Sequence, residues 1–519
     1  MSVSLRRLAG HVSWGAVAWI VPLALSVLTI PALVHGLGTE AYGLYALAAV
    51  IAAQPGILSP ARALTRHLSV AWPDQPAEAR RLLAAAVRIA AVTAIAAAAL
   101  LIVGAGWIVD HVLQVSAALA PEARLAVRTA ALATPFIILG QVYLACAPAT
   151  GRSDVYALLT GGLAAATSGG AAIVAILHGG LSGVFLWSTL VAATVCLIAR
   201  HWSLRRLRLA PDDAAAVTPR VAAPETAVRE AAADDRTLER RLIRFAASSA
   251  AYQLWGVLLL VFERAWIARS LGPAAVAYHA VPMAATLCLH TGVTSLSLML
   301  MPSASKVAHV PDALRALYRR ACRAVAPIAV LGAALFILHG ESLLTLWIGA
   351  DFASHAALAL RWHAVTFGLM TLTIVPWHLL EAANRPSINA WFSFAQLIVA
   401  APLVVWLTAS DGVAGAAFGR MVSMIAIVPF FWIAERRLFG RADGAWWLVL
   451  ALRLGAGLAA AVAVHVPLAA IDRTWLGLAA SAGIESVVFA SVLLATGYVA
   501  YEERLVLSGA LRRFAARES

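Results

Sequence analysis

The chain has 519 residues, of which 62% are hydrophobic and 13% charged, and its mean hydropathy is +0.84. Soluble globular proteins carry roughly a quarter charged residues, so this composition excludes a soluble protein and indicates a polytopic integral membrane protein. A formal charge of +13 would suggest nucleic-acid binding in a soluble protein. Here the basic residues fall mostly in loops between apolar segments, so no nucleic-acid partner is predicted.

Fourteen apolar segments are long enough to span a membrane, since a helix needs roughly 20 apolar residues to cross the hydrocarbon core. Backbone groups in lipid need partners within the segment, so all are predicted to be α-helices. In chain order they are residues 12–34, 40–61, 83–108, 126–147, 155–177, 181–199, 245–268, 275–301, 323–348, 357–380, 387–408, 413–434, 446–469 and 475–498. The predicted fold class is all-α integral membrane, with about 14 transmembrane helices forming two pseudo-symmetric six-helix lobes plus two C-terminal helices.

Arginines are concentrated in alternate connections between the predicted spans. The connections that follow even-numbered spans hold most of them, including Arg80, Arg81, Arg205, Arg206 and Arg436. By the positive-inside rule these connections face the cytoplasm, and an even number of spans then places both termini there. The first apolar segment is too long for a signal-peptide core, so it is predicted to be an uncleaved span. The predicted location is a bacterial inner membrane.

One long connection, residues 201–243, is rich in Ala, Pro, Asp, Glu and Arg and poor in aromatic residues. A segment of this composition cannot bury enough apolar surface to fold alone, so it is predicted to be a flexible cytoplasmic linker. It would separate an N-terminal six-helix lobe (1–200) from a C-terminal one (244–437). Residues 438–501 add two further spans, and 502–519 form a cytoplasmic tail.

Two pairs of motifs indicate that the lobes arose by duplication. Residues 28–45, LTIPALVHGLGTEAYGLY, and 262–279, FERAWIARSLGPAAVAYH, both read as a span, a tight turn and the start of the next span. Aligning the turn glycines of these stretches also aligns Arg152 with Arg385 to within one residue. Internal repeats of this kind are typical of secondary transporters.

The same motifs resemble those of a known family. Leu37-Gly38 followed by Tyr42-Gly43-Leu44-Tyr45 is similar to the opening hairpin of bacterial polysaccharide flippases of the Wzx type, a branch of the MOP superfamily that transports O-antigen and exopolysaccharide units. Glu263-Arg264 ahead of Leu271-Gly272-Pro273 resembles the second-lobe version. The connections around Arg152 and Arg385 resemble the family's Ala-x-Gly-Arg pattern, although Asn384 stands where Gly is common.

The resemblance implies a function and its partners. It implies that the protein moves a polyprenyl-pyrophosphate-linked oligosaccharide from the cytoplasmic to the periplasmic leaflet by alternating access. The implied partners are this lipid-linked oligosaccharide, membrane lipids and the polysaccharide assembly machinery. No cofactor is implied.

Ionisable residues inside the spans are the candidates for binding the anionic head group, because charge in the bilayer is costly and usually functional. Glu263 and Arg264 point about 100° apart, so one could face a cavity while the other pairs with a neighbouring helix. The alternative for Arg264 is an anchor at the outer interface. Arg420, in span 413–434, could bind phosphate bidentately or form a structural pair with a carboxylate.

Three further arginines lie near the cytoplasmic ends of spans. Arg62 and Arg66 are four residues apart, share a helix face and could receive pyrophosphate at the cytoplasmic mouth of a cavity. Arg88 in span 83–108 is a similar candidate. For all three the alternative is a role in setting topology.

Proton coupling has its own candidates. Glu485, near the middle of the last span, could carry a proton, or have a structural role or one in a groove for the lipid tail. His290 could titrate near neutral pH, although a hydrogen-bonded core histidine is the more common outcome. Cys146, Cys196, Cys288 and Cys322 form no CxxC pair, so neither a zinc site nor a disulfide framework is indicated.

Other functions remain as alternatives. A lipid II flippase of the same superfamily would have the same number of spans, whereas a MATE-type drug antiporter would have fewer spans and an acidic cation site. A membrane-embedded glycan polymerase or ligase would place catalytic residues in a large external loop, and the predicted external loops are short. No nucleotide-binding motif, metal-ligand cluster or catalytic triad is evident, so the chain is not expected to be an enzyme.

Overall fold

The computed structural model describes residues 27–72, 74–115, 119–208, 225–297, 310–383 and 385–498, together with Leu25, Ala117, Leu300 and Ala304. The helices in chain order are α1 (Val27–Leu37), α2 (Thr39–Ala53), α3 (Ala61–Ala71), α4 (Pro76–Trp107), α5 (Ala120–Ala131), α6 (Thr134–Ala149), α7 (Ser153–Ile176), α8 (Gly180–Arg208), α9 (Glu225–Leu271), α10 (Pro273–Leu296), α11 (Pro311–Trp347), α12 (Ala350–Leu372), α13 (Ile374–Ala382), α14 (Pro386–Ser423), α15 (Ile427–Phe439), α16 (Gly444–Leu468) and α17 (Trp475–Ala495). Short 3-10 turns lie at Gln54–Leu58, Met424–Ala426 and Ala469–Ile471, and a π-helical turn at Ile108–Leu113.

The predicted all-helical membrane fold is confirmed. The described residues contain no strand, and ten helical stretches among them are long and apolar enough to span a membrane. One of these, Pro386–Phe439, is broken by non-helical dihedral angles at Asp411 and Gly412, where the sequence predicts a boundary between two spans. The spans predicted at 245–268 and 275–301 fall on α9 and α10. The first predicted span, 12–34, lies largely outside the described residues.

The predicted flexible linker, residues 201–243, needs correction at both of its ends. Helix α8 continues to Arg208 and α9 begins at Glu225, while residues 209–224 lie outside the described part of the chain. Leu238 and Leu242 of α9 are buried in the same apolar cluster as side chains of α3 and α4. These contacts supply apolar burial that the composition of the segment did not reveal. The segment also forms a helix readily, because Ala, Glu and Arg are all strong helix formers.

The described residues form two compact units. Unit 1 comprises the residues up to Val281 together with Asn389–Ser423, and unit 2 comprises Pro282–Ile388 together with the residues from Met424 onward. The division differs from the predicted lobes because α9 packs along α2, α3 and α4 within unit 1. The limits of the two six-helix lobes, which were predicted from the internal repeat, therefore stay a prediction.

Within unit 1, close helix packing depends on small side chains. Helix α4 buries Ala86, Ala90, Ala94 and Ala98, which follow one another at four-residue intervals and so share one face. Membrane helices gain little from the hydrophobic effect between them, and small residues let their backbones approach closely enough for van der Waals contact. The alanine-rich composition therefore serves the packing of the helices.

Within unit 2, a buried carboxylate organises the end of α15. Glu435 accepts hydrogen bonds from the Tyr318 hydroxyl at 2.9 Å, from the Trp447 indole at 2.5 Å and from the Asp443 backbone N–H at 2.8 Å. Only 3% of Glu435 is exposed. A buried carboxylate with three donors is fully satisfied, so it ties α11, α15 and α16 together.

The two hairpin motifs found in the sequence have the same backbone geometry. Gly38 has φ +84° and Gly272 has φ +88°, values in the region that L side chains rarely adopt. Each glycine immediately precedes a helix, α2 or α10. The turn glycines of the proposed duplication are thus equivalent in conformation as well as in sequence.

The two hairpins also contact each other within unit 1. Gly43 of α2 lies directly against the Pro273 carbonyl at the start of α10, and a methyl group built on Gly43 would overlap that oxygen. The glycine of the Tyr-Gly-x-Tyr motif is therefore required by a close backbone approach.

We expect Gly43→Ala to lower the thermal unfolding midpoint of the purified protein in detergent. The added methyl group forces α2 and α10 apart, and overpacking of this kind costs about 1–3 kcal/mol. The matched control is Gly106→Ala in α4, where a methyl group meets no atom within 4 Å. That control should keep or raise the midpoint, and equal midpoints for the two variants would contradict the close approach.

Candidate functional site

The strongest candidate site lies in unit 1 around an ion pair between α9 and α14. Glu263 is fully buried, and its Oε2 accepts a hydrogen bond from Nη1 of Arg420. Only 12% of the Arg420 side chain is exposed. The pairing with a carboxylate, one of the two roles considered for Arg420, is therefore present.

Arg264 contacts a different helix. Its Nη1 donates a 2.6 Å hydrogen bond to the Ala46 carbonyl of α2. Because Glu263 and Arg264 are adjacent on α9, they point in different directions, as the sequence predicts. Each of them contacts a neighbouring helix of unit 1, so the two side chains join α9 to α14 and to α2.

The site carries a net positive charge. Tyr42, Glu263 and Arg420 are near enough to interact electrostatically with Arg264, and His279 of α10, itself fully buried, is near both arginines. Two guanidinium groups and one carboxylate leave an excess of one positive charge. A guanidinium presents several N–H donors in a planar fork that suits phosphate oxygens, so the arrangement can attract an anion.

The arginines that the sequence predicts near the cytoplasmic ends of spans line other parts of unit 1. Arg62 lines a cavity of about 550 Å³ inside unit 1, together with the polar side chains of Thr65, Gln141, Tyr156 and Gln253. Arg66 instead lines a separate cavity of about 340 Å³ that also includes Glu78. The spacing of four residues predicts that Arg62 and Arg66 share a helix face, but the two side chains line different cavities.

Arg88 is held at the surface of unit 1. It forms an ion pair with Glu239 of α9, with N···O distances of 2.8 and 2.9 Å, and about half of its side chain is exposed. Exposed pairs contribute little to stability. The structure therefore gives Arg88 a contact between α4 and α9.

The two proton-coupling candidates both lie in unit 2. His290 of α10 contacts the Met370 backbone. Glu485 of α17 is fully buried and hydrogen-bonded to two histidines, His339 and His465. Neither histidine was singled out from the sequence.

Sequence reasoning also missed Tyr42 and His279 at the unit 1 site. Both lie within the two hairpin motifs, so the internal repeat was the signal that could have identified them. For His339 and His465 the available signal was weaker: a histidine within an otherwise apolar segment. Their convergence depends on how α11, α16 and α17 pack.

A scan against models of protein families finds no match, and a search of curated proteins finds none either. Solved structures, in contrast, are similar over most of the chain. The lipid II flippase MurJ in an inward-closed conformation matches with a TM-score of 0.66 at 10% sequence identity, covering 95% of this chain and 99% of that one.

Two other transporters show the same fold. A multidrug-resistance MATE family transporter of the MOP superfamily, inward-facing, has a TM-score of 0.59 at 14% identity and covers 82% of this chain and 94% of its own. A MOP superfamily transporter from Pyrococcus furiosus has a TM-score of 0.58 at 14% identity, covering 82% and 95%. This chain is a multi-pass membrane protein with the fold of MOP superfamily transporters.

We expect Arg420→Met to destabilise the protein by leaving Glu263 buried without its partner, a loss of roughly 3–5 kcal/mol for a buried pair. The double variant Glu263→Gln/Arg420→Met should recover part of that loss, because no unpaired charge remains. Thermal unfolding of the wild type, Glu263→Gln, Arg420→Met and the double variant in one detergent gives the coupling by a double-mutant cycle.

The control is Arg361→Met, which breaks an exposed pair with Glu341 at 3.4 Å and should cost no more than about 1 kcal/mol. Additive effects of the Glu263 and Arg420 substitutions would contradict the pairing.

Proposed function

We propose that the protein is a flippase that moves a polyprenyl-pyrophosphate-linked oligosaccharide, an O-antigen or exopolysaccharide repeat unit, from the cytoplasmic to the periplasmic leaflet by alternating access. The observation that carries the proposal is the extent of the fold similarity. It reaches 95% of this chain for the lipid II flippase, against 82% for the MATE transporter.

The charge distribution in unit 1 supports an anionic substrate. Arg264 and Arg420 together outweigh Glu263, and both lie on helices of the candidate site. Ionisable groups within spans usually mark a substrate or ion path, because burying them without such a role is costly. A pyrophosphate bridging the two guanidinium groups would exchange one carboxylate contact for several phosphate contacts.

The direction of transport is favourable for such a substrate. We place the protein in a bacterial inner membrane with both termini in the cytoplasm, following the arginine distribution. An anion leaving a negative-inside cell gains roughly 2.3 kcal/mol per charge for each 100 mV of potential. A doubly charged pyrophosphate could therefore be exported without a coupled ion.

A second candidate function is transport of lipid II. The similarity to the lipid II flippase favours it, because that structure has the highest TM-score of the three compared. The hairpin motifs favour the polysaccharide branch, so the two candidates are separated by the glycan they carry. The fold neighbours are transporters, which favours transport over a glycan polymerase or ligase.

Deletion of the gene in its native bacterium tests the proposal. We expect one undecaprenyl-linked oligosaccharide repeat unit to accumulate in the inner leaflet and surface polysaccharide to be lost. The accumulated unit is identified by extraction and mass spectrometry of lipid-linked glycans. Accumulation of lipid II instead would establish the second candidate. Increased drug sensitivity with no accumulated glycan would contradict both.

Complementation then tests the candidate residues. Arg264→Ala should fail to restore surface polysaccharide at normal expression. Arg420→Lys keeps a charge opposite Glu263 but loses the guanidinium fork, so it should fold and still lower transport at least several-fold. Arg124→Ala, which removes an exposed pair with Asp110 at 2.7 Å, is the matched control and should complement fully. Full activity of Arg420→Lys would exclude phosphate recognition by that guanidinium.

A further inference from the structure

A second buried polar cluster lies in unit 2, where α11, α16 and α17 meet. It consists of His339 of α11, His465 of α16, Asp472 in the turn between α16 and α17, and Glu485 of α17. His339 is 4% exposed, Asp472 3% and Glu485 not at all, while 15% of the His465 side chain is accessible. Two carboxylates and two imidazoles are thus gathered in an apolar surrounding.

Glu485 holds one nitrogen of each imidazole. Its Oε2 lies 2.9 Å from Nε2 of His339, and its Oε1 lies 2.9 Å from Nδ1 of His465. With Glu485 ionised, both of these ring nitrogens carry a hydrogen, because a carboxylate can only accept hydrogen bonds. In the neutral imidazoles the lone pairs are then on Nδ1 of His339 and Nε2 of His465.

Nδ1 of His339 faces a second carboxylate. It lies 2.6 Å from Oδ2 of Asp472, so a lone pair and a negatively charged oxygen would be in contact. A cation resolves this contact: either a proton held by His339 or by Asp472, or a metal ion bound by both atoms. His465 is close by, with its ring centroid 4.8 Å from that of His339.

We propose that His339, His465 and Asp472 bind a divalent transition-metal ion, and that Zn²⁺ is the ion this set fits best. One donor atom from each of the three lies within 4.8 Å of the others. Two imidazole nitrogens and a carboxylate oxygen are typical zinc ligands, and water at a fourth position completes a tetrahedral site. A divalent ion also balances the two buried carboxylates while both imidazoles stay neutral.

The residues around the three ligands fit the same assignment. Metal-binding histidines usually donate their other ring N–H to a carboxylate, which fixes their tautomer and orientation. Glu485 does this for both imidazoles at once. Ser481 donates a hydrogen bond to Oδ1 of Asp472, the oxygen that does not face His339. Each ligand therefore has a hydrogen-bond partner: the two imidazoles share Glu485, and Asp472 has Ser481.

The ion would join the last two helices of the chain to α11. Its three ligands come from α11, α16 and the turn that precedes α17, and these helices already pack against one another in unit 2. The site was not evident from the sequence because His339 is 133 residues from Asp472 and the three ligands follow no short spacing motif.

Metal loading of the whole protein tests the proposal. The full chain is purified in detergent without a histidine tag, treated with EDTA, incubated with Zn²⁺ or Co²⁺ and freed of excess ion. Elemental analysis should find one ion per chain, and bound Co²⁺ should show the intense visible bands of a tetrahedral site. EDTA should lower the thermal unfolding midpoint, and added Zn²⁺ should restore it.

Substitutions locate the ion. His465→Gln and Asp472→Asn should abolish stoichiometric binding, whereas Glu485→Gln, which removes an orienting partner, should weaken affinity 10- to 100-fold. His355→Gln, at an exposed histidine outside the cluster, is the matched control and should bind normally. His465→Cys keeps a zinc ligand and should restore binding, with a sulfur-to-cobalt charge-transfer band, which separates loss of a ligand from loss of the fold.

Two results would overturn the proposal. One is absence of stoichiometric metal in the wild-type protein after loading, which would make the cluster a set of hydrogen bonds closed by protons alone. The other is unchanged binding in both His465→Gln and Asp472→Asn, which would place the ion elsewhere.

Discussion

The structure depends on one physical constraint: a charge buried inside a membrane helix bundle must find a counter-charge or hydrogen-bond partners there. In unit 1 the fully buried Glu263 meets Arg420, which lies far along the chain on α14. In unit 2 Glu435 is satisfied by three donors and Glu485 by two imidazoles. Each carboxylate joins neighbouring helices. A polar contact fixes the position of one helix against another more specifically than alanine packing does, because the donor and acceptor must meet.

Under the proposed function, this constraint also links stability to substrate binding at the unit 1 site. A guanidinium that balances a buried carboxylate is held in place before any substrate arrives, so little side-chain entropy is lost on binding. For the proposed anionic substrate, the same pairing would lower the affinity, because Glu263 would compete with phosphate for Arg420. A transporter benefits from such a balance, since a substrate that must be released on the other side cannot be bound too tightly.

Much of the fold could be predicted from the sequence, because hydropathy and glycine placement act locally. The helices of the apolar segments, the turns at Gly38 and Gly272 and the break at Asp411–Gly412 all follow from nearby residues. The start of α9 was not predicted. This helix is stabilised by Leu238 and Leu242, which pack against side chains that are distant in the sequence. The candidate site was predictable as a set of charged positions, but the partners of Glu263 and Glu485 were not, because tertiary packing alone decides which distant helices meet.

The contact between Gly43 and Pro273 has a consequence for how such a chain can evolve. After a duplication, two copies of a motif are usually free to diverge separately. Here the first copy presses its backbone against the second, so a bulkier residue in one hairpin requires an adjustment in the other. We therefore expect a larger residue at position 43 to be tolerated only together with a compensating change at the start of α10.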